Sequence, residues 1–139
     1  MKILIINGPN LNMLGMREEK HYGNLRLKDI NANLRSIAKG KAKLKFFQSN
    51  YEGALVSAIQ KHLKYDAIII NAGAYTHTSI AIHDALEMFK GKIIEVHLSD
   101  VNAREDFRKV NYITPIASKT ITGLKEKGYY EALKTLLNQ

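Results

Sequence analysis

Four short stretches of this 139-residue sequence carry side chains able to bind a ligand or move a proton, and each follows directly on an aliphatic run. They are Asn7-Gly8-Pro9-Asn10, Gln48-Ser49-Asn50, Asn71-Ala72-Gly73-Ala74-Tyr75-Thr76-His77-Thr78-Ser79 and Glu95-Val96-His97-Leu98-Ser99. Asparagine offers a donor and an acceptor without charge, which suits holding a polyhydroxylated ligand. Turn formation alone accounts for Asn, Gly and Ser at any one of these places. All of them converging on one rim points instead to a binding site. A lone histidine is most often a structural hydrogen bonder. His77 and His97, at the mouths of two strands and the second beside Glu95, supply a candidate acid and its orienting carboxylate.

Cationic and phenolic groups are found near these stretches. The connection from Asn10 to Leu25 is long for a compact domain and carries Arg17, His21 and Tyr22, with Gly15 and Gly23 as candidate hinges. A lid that delivers an arginine and a tyrosine, and a passive connection, are equal readings from spacing alone. Arg104 and Arg108 lie four apart and share a face if their segment is helical. They either pair with Glu105 and Asp106 or clamp an anion through their planar guanidinium groups. Other chemistries lack their residues. No glycine-rich fingerprint or lysine-bearing phosphate loop follows the first aliphatic run, no paired acids end it, the histidines show no metal-ligand spacing, and there is no cysteine.

The elements that must position these groups follow from periodicity. Aliphatic runs at Lys2–Asn7, Lys43–Gln48, Asp66–Asn71, Lys92–Leu98 and Lys119–Thr122 read as strands. Segments of helical period intervene: Leu27–Lys39 closed by Gly40, a helix opened by Ser49 and Glu52 as a capping box, about Thr78–Phe89, and a last one at or after Gly128. The unbroken Ile/Leu content of the first run predicts burial on both faces, as in a parallel sheet. The alternation predicts an α/β, flavodoxin-like, doubly wound sheet of five parallel strands with helices on both faces, as one domain over residues 1–139. In such a sheet a ligand sits outside the carboxyl ends of the strands, where the polar stretches fall.

Composition narrows the partners. With 45% apolar and 24% charged residues the chain is an ordinary globular one, which excludes disorder, collagen-like repeats and a disulfide framework. Its 21 Lys and Arg against 13 Asp and Glu give +8, a field that favours an anionic partner. The lysines are scattered singly except at Lys39, Lys41, Lys43 and Lys45, which favours solvated lysines plus one small acidic ligand over nucleic acid. The run Ile3-Leu4-Ile5-Ile6 is too short for a signal core or a membrane span, so a cytoplasmic location is expected.

Taken in order, these stretches resemble the type II 3-dehydroquinate dehydratases over essentially the whole chain. The likeness rests on Asn7-Gly8-Pro9-Asn10-Leu11-Asn12 with Leu14-Gly15, Arg17 through Tyr22-Gly23, and Phe46-Phe47-Gln48-Ser49-Asn50 with Glu52-Gly53. It continues through Asn71 to Ser79, Glu95 to Ser99, and Ala103-Arg104-Glu105 with Phe107-Arg108. The resemblance implies a hydro-lyase without cofactor or metal that converts 3-dehydroquinate to 3-dehydroshikimate by anti elimination through an enolate, in aromatic biosynthesis or quinate breakdown.

It also implies roles. Tyr22 would remove the C2 proton as a tyrosinate. For a free tyrosine, with a pKa near 10, ionisation at neutral pH costs on the order of 4 kcal/mol, and Arg17 would offset that charge. His97, held by Glu95, would protonate the departing hydroxyl. Asn10 would orient a water against the enolate oxygen. Ser99 and the Leu98 N–H would grip the substrate carboxylate, and Asn71, His77 and Arg108 would bind ring hydroxyls. Family members form trimers grouped into dodecamers, in which an acid matching Asp84 reaches a neighbouring subunit's site. The sequence departs from the pattern at His83, Asp100, Asn102 and Asn111, where arginine, asparagine, histidine and serine are common, and at Lys125–Lys127, in place of a glycine-bearing turn. A sugar- or nucleotide-binding module without chemistry, and a nucleic-acid binder, are the competing readings.

Overall fold

The computed structural model describes residues 1–16 and 18–138. Along the chain run β1 (Lys2–Asn7), α1 (Glu19–Tyr22), α2 (Leu27–Ala38), β2 (Lys43–Gln48), α3 (Glu52–Lys61), β3 (Ala67–Asn71), α4 (Ile80–Glu87), β4 (Lys92–His97), β5 (Lys119–Thr122) and α5 (Lys127–Leu137). All strand pairs are parallel, in the order β2-β1-β3-β4-β5. This is the expected flavodoxin-like arrangement, with boundaries shifted by a residue or two from the sequence reading.

The aliphatic runs form central strands because both of their faces are covered. Ile3 and Ile5 of β1 pack with Leu34 of α2 and Leu133 of α5 on one side. Leu4 and Ile6 pack with Leu55 and Ile59 of α3 and Leu86 of α4 on the other. Each such side chain, fully removed from water, contributes about 1.5–3 kcal/mol. β2 lies at the sheet's edge, where exposed Lys43 and Lys45 alternate with half-buried Leu44 and Phe46. Charges on an edge strand oppose pairing with another chain.

Two local expectations are corrected. The Ser49–Glu52 capping box does not form: Ser49 N–H is still paired to the Asn7 carbonyl at 3.1 Å, so the strand pairing holds the serine two residues ahead of the position that caps α3. Its Oγ instead accepts from Tyr51 N–H at 3.0 Å, and Tyr51 precedes the helix without a side-chain cap. The Asn10–Leu25 connection contains a 3₁₀ turn at Leu11–Met13 and the single-turn α1, so Tyr22 stands at a helix end closed by Gly23 at φ 80°.

Chain order reverses between β1 and β3, and there the sheet opens a crevice. Asn7 is the register partner of Asn71. Gly8 N–H donates to the Asn71 carbonyl at 2.8 Å. A Cβ on Gly8 would lie 2.3 Å from the Ala72 carbonyl oxygen, so only glycine lets the two strand ends approach this closely.

Candidate active site

The ends of β1, β3 and β4 converge on a cleft of about 540 Å³, counting the space open to solvent at its mouth. That is the size of a small-molecule site. Asn10, Tyr22, Asn71, His77, His97, Leu98, Ser99 and Arg108 all line it, so eight of the residues singled out in the sequence meet in one place. Glu95 sits behind His97 and is 1% exposed. Asp84 lies on the exposed face of α4 outside the cleft, where its carboxylate and the donor atoms of His83 and Glu87 lie within 4.8 Å of one another. The sequence reading passed over that grouping. Arg17 lies outside the described residues.

Asn10 is held in the left-handed region, at φ 70°. Its N–H donates to Asn50 Oδ1 at 3.0 Å, and Gln48 Nε2 donates to that same oxygen at 3.2 Å and to the Gly8 carbonyl at 3.1 Å. The polar end of β2 thus braces the polar end of β1. Asn71 is braced from behind by Tyr129 of α5, whose hydroxyl accepts from Asn71 Nδ2 at 3.0 Å and donates to Asn7 Oδ1. Asn71 Oδ1 accepts Gly73 N–H at 3.1 Å, which fixes the amide's orientation. Burial pushes the Tyr129 phenol well above the ordinary tyrosine range, against a smaller lowering by Asn71, so it remains a neutral link.

The two histidines are prepared differently. His77 Nδ1 lies 2.6 Å from the Val110 carbonyl, an acceptor only, so Nδ1 carries the proton and Nε2 is left as an acceptor. Burial lowers the His77 pKa, the Val110 bond opposes that, and the neighbouring His97 lowers it again. His97 Nε2 lies 2.5 Å from Glu95 Oε2, which leaves Nδ1 as the nitrogen available to a ligand. The rings stack with centroids 6.4 Å apart. Burial raises the Glu95 pKa, but the His97 hydrogen bond and charge, then Thr114 and Asn111, outweigh it and hold the carboxyl below its ordinary range. His77 thereby presents Nε2 to the cleft and His97 presents Nδ1.

Arg104 and Arg108 do not share a helix face, because an extended residue conformation at Arg104 separates 3₁₀ turns at Val101–Ala103 and Asp106–Lys109. Both nevertheless reach the cleft. Arg108 Nε pairs with Glu105 at 3.0 Å, so the ion-pair reading and the cleft reading hold together for it. Arg104 Nη1 donates to the Tyr22 hydroxyl at 2.6 Å and lies 3.4 Å from Ser99 Oγ. The resemblance assigns a cation to Tyr22 at Arg17, outside the described residues, and the sequence gives Arg104 only a share in an anion clamp; among the described residues it is Arg104 that meets the phenol. Its spacing from Arg108 was a signal for the cleft, but nothing in the sequence tied it to a phenol 82 residues away.

A sequence profile described as dehydroquinase class II matches residues 1–137. The chain belongs to the class II dehydroquinase family. Among relatives of this dehydroquinase, the 3-dehydroquinate dehydratase of Fusobacterium nucleatum is 48% identical, with 99% of this chain and 97% of that protein covered. That of Hyphomonas neptunium is 51% identical over 97% of this chain and 92% of its own. The crystal structure of type II dehydroquinase from Butyrivibrio crossotus superposes with a TM-score of 0.94 at 45% identity, covering 100% of this chain and 98% of that one. A second, from Propionibacterium acnes, gives 0.94 at 35% identity, with 99% and 97% covered. The family read from the motifs is therefore the family found.

Proposed function

We propose that this chain is a 3-dehydroquinate dehydratase that eliminates water from 3-dehydroquinate to give 3-dehydroshikimate. The observation that carries the reading is the cleft itself: a phenol against a guanidinium and an imidazole against a buried carboxylate face one volume. Tyr22 removes the C2 proton, and the electron pair moves into the carbonyl as an enolate. Arg104, whose Nη1 donates to the phenol oxygen at 2.6 Å, holds that oxygen at the cleft. His97 then gives a proton from Nδ1 to the C1 hydroxyl, whose C–O bond breaks as water leaves and the enolate collapses. Tyr22 ends protonated and His97 deprotonated, and exchange with water between turnovers resets both.

Asn10 orients a water at the enolate oxygen. Ser99 and the Leu98 N–H hold the substrate carboxylate, supported by Arg104 within reach of Ser99 Oγ. Asn71, Arg108 and the acceptor nitrogen of His77 take ring hydroxyls. The exposed position of Asp84 is consistent with service to a neighbouring subunit in a dodecamer built from trimers. No helix among the described residues is long and apolar enough to cross a membrane. The test is turnover: Tyr22→Phe lowers kcat by at least about 10²-fold, as removal of a general base does. Near-full turnover by that variant would sink the assignment.

A further inference from the structure

Glu95 is gripped by a segment that none of the roles above uses. Asn111, half-buried on the loop between Arg108 and β5, donates from Nδ2 to Glu95 Oε2 at 2.8 Å, the same oxygen that His97 Nε2 reaches at 2.5 Å. Its Oδ1 accepts the N–H groups of Ile113 at 2.8 Å and Thr114 at 2.9 Å. Two backbone donors therefore fix which end of the amide faces Glu95, and the same turn carries Thr114 Oγ1 to within 2.6 Å of Glu95 Oε1. Thr120 of β5 completes that oxygen at 2.9 Å. A carboxylate with two donors on each oxygen cannot rotate without losing bonds, and at 1% exposure it has no water to replace them.

We propose that Asn111 is a positioning residue of the reaction: it sets the rotation of the Glu95 carboxylate and so the angle at which His97 presents Nδ1 to the cleft. This rests on the reading of His97 as the acid. Asn111 is absent from the cleft lining, so it acts on the acid and not on substrate binding. The ionisable groups around Glu95 are His97 on its own strand and His77 from the end of β3, with Arg108 acting on His77 in turn. β5 and the Asn111 loop present to it only hydroxyls and the amide.

Asn111→Asp tests the proposal. The variant keeps an oxygen for both loop N–H groups, so the turn survives, and puts an acceptor where Nδ2 donated. At neutral pH two carboxylates then meet, and kcat should fall by at least about 10-fold with KM within about twofold. Towards acid the introduced carboxyl takes up a proton and again donates to Glu95, so activity should partly return and the pH optimum should move to lower pH. On a Glu95→Gln background the same substitution should cost little more, because the two act as one unit. In the ligand-free protein, the imidazole nitrogen resonances of His97 should titrate at a changed pH in Asn111→Asp. Unchanged kcat, a profile that superposes on the wild type, additive losses with Glu95→Gln, or an unchanged His97 titration would each overturn the proposal. Absence of wild-type turnover would refute the dehydratase reading instead, and the His97 titration would still report on Asn111.

Discussion

Replacing Tyr129 by Phe removes one oxygen from the interior and should be felt both in stability and in the site. The hydroxyl donates to Asn7 Oδ1 and accepts from Asn71 Nδ2, and Tyr129, Asn7 and Asn71 are 0%, 2% and 4% exposed. Without it, one buried acceptor and one buried donor lose their partner. Each such orphan costs about 1–3 kcal/mol, and the phenylalanine itself recovers a little by shedding a polar group. A net loss of about 3 kcal/mol is expected, which for a chain of this length lowers Tm by roughly 10 °C. Because burial keeps the phenol neutral, the loss should not vary with pH across the neutral range. In the site, Asn71 keeps the Gly73 bond but loses the second of the two that hold its amide, so KM for 3-dehydroquinate should rise by about 10-fold with a smaller change in kcat, the signature of lost ground-state binding. Calorimetry and the turnover assay read the two effects. A Tm change under about 2 °C with KM unaltered would refute the reasoning that Tyr129 braces Asn71.

Two further expectations follow from single residues. Glu95 has its folded pKa held below the unfolded value, so its share of stability is present above the unfolded pKa near 4.5 and is lost as pH falls through the lower folded value. Tm of the wild type should therefore fall more steeply on acidification below about pH 5 than that of Glu95→Gln. Parallel curves would contradict the linkage. Lys125 occupies the left-handed region at φ 53°, with its N–H bonded to the Leu98 carbonyl at 2.9 Å, in the turn that packs against Gly23 beside Tyr22. A side chain there costs about 1–2 kcal/mol, part of which glycine returns as backbone entropy. Lys125→Gly should raise Tm by about 2–4 °C; a fall would show that the lysine side chain makes compensating contacts.

The parts of this molecule that were legible in the sequence are those whose signal is local. β1 and β3 were readable because Ile3 to Ile6 and Ala67 to Ile70 are buried from both sides and only aliphatic side chains serve there. Asn10, Asn71, His77 and His97 were readable as a site because a parallel sheet delivers every strand end to one rim. What escaped notice depends on partners far apart in the chain. Arg104 meets Tyr22 across 82 residues and Tyr129 meets Asn7 across 122. Asn111 registered only as a departure from a family pattern until the fold set it against Glu95. Ser49 misled in the opposite direction: its motif is right for a cap, but its backbone is already committed to the sheet.

The central claim is that the cleft performs an elimination on 3-dehydroquinate, and the most direct measurement is the ultraviolet absorbance of the conjugated enone formed when the purified chain meets that substrate. Absorbance should rise catalytically with the wild type and far more slowly with Tyr22→Phe. A folded wild-type protein that binds 3-dehydroquinate yet generates no enone would contradict it.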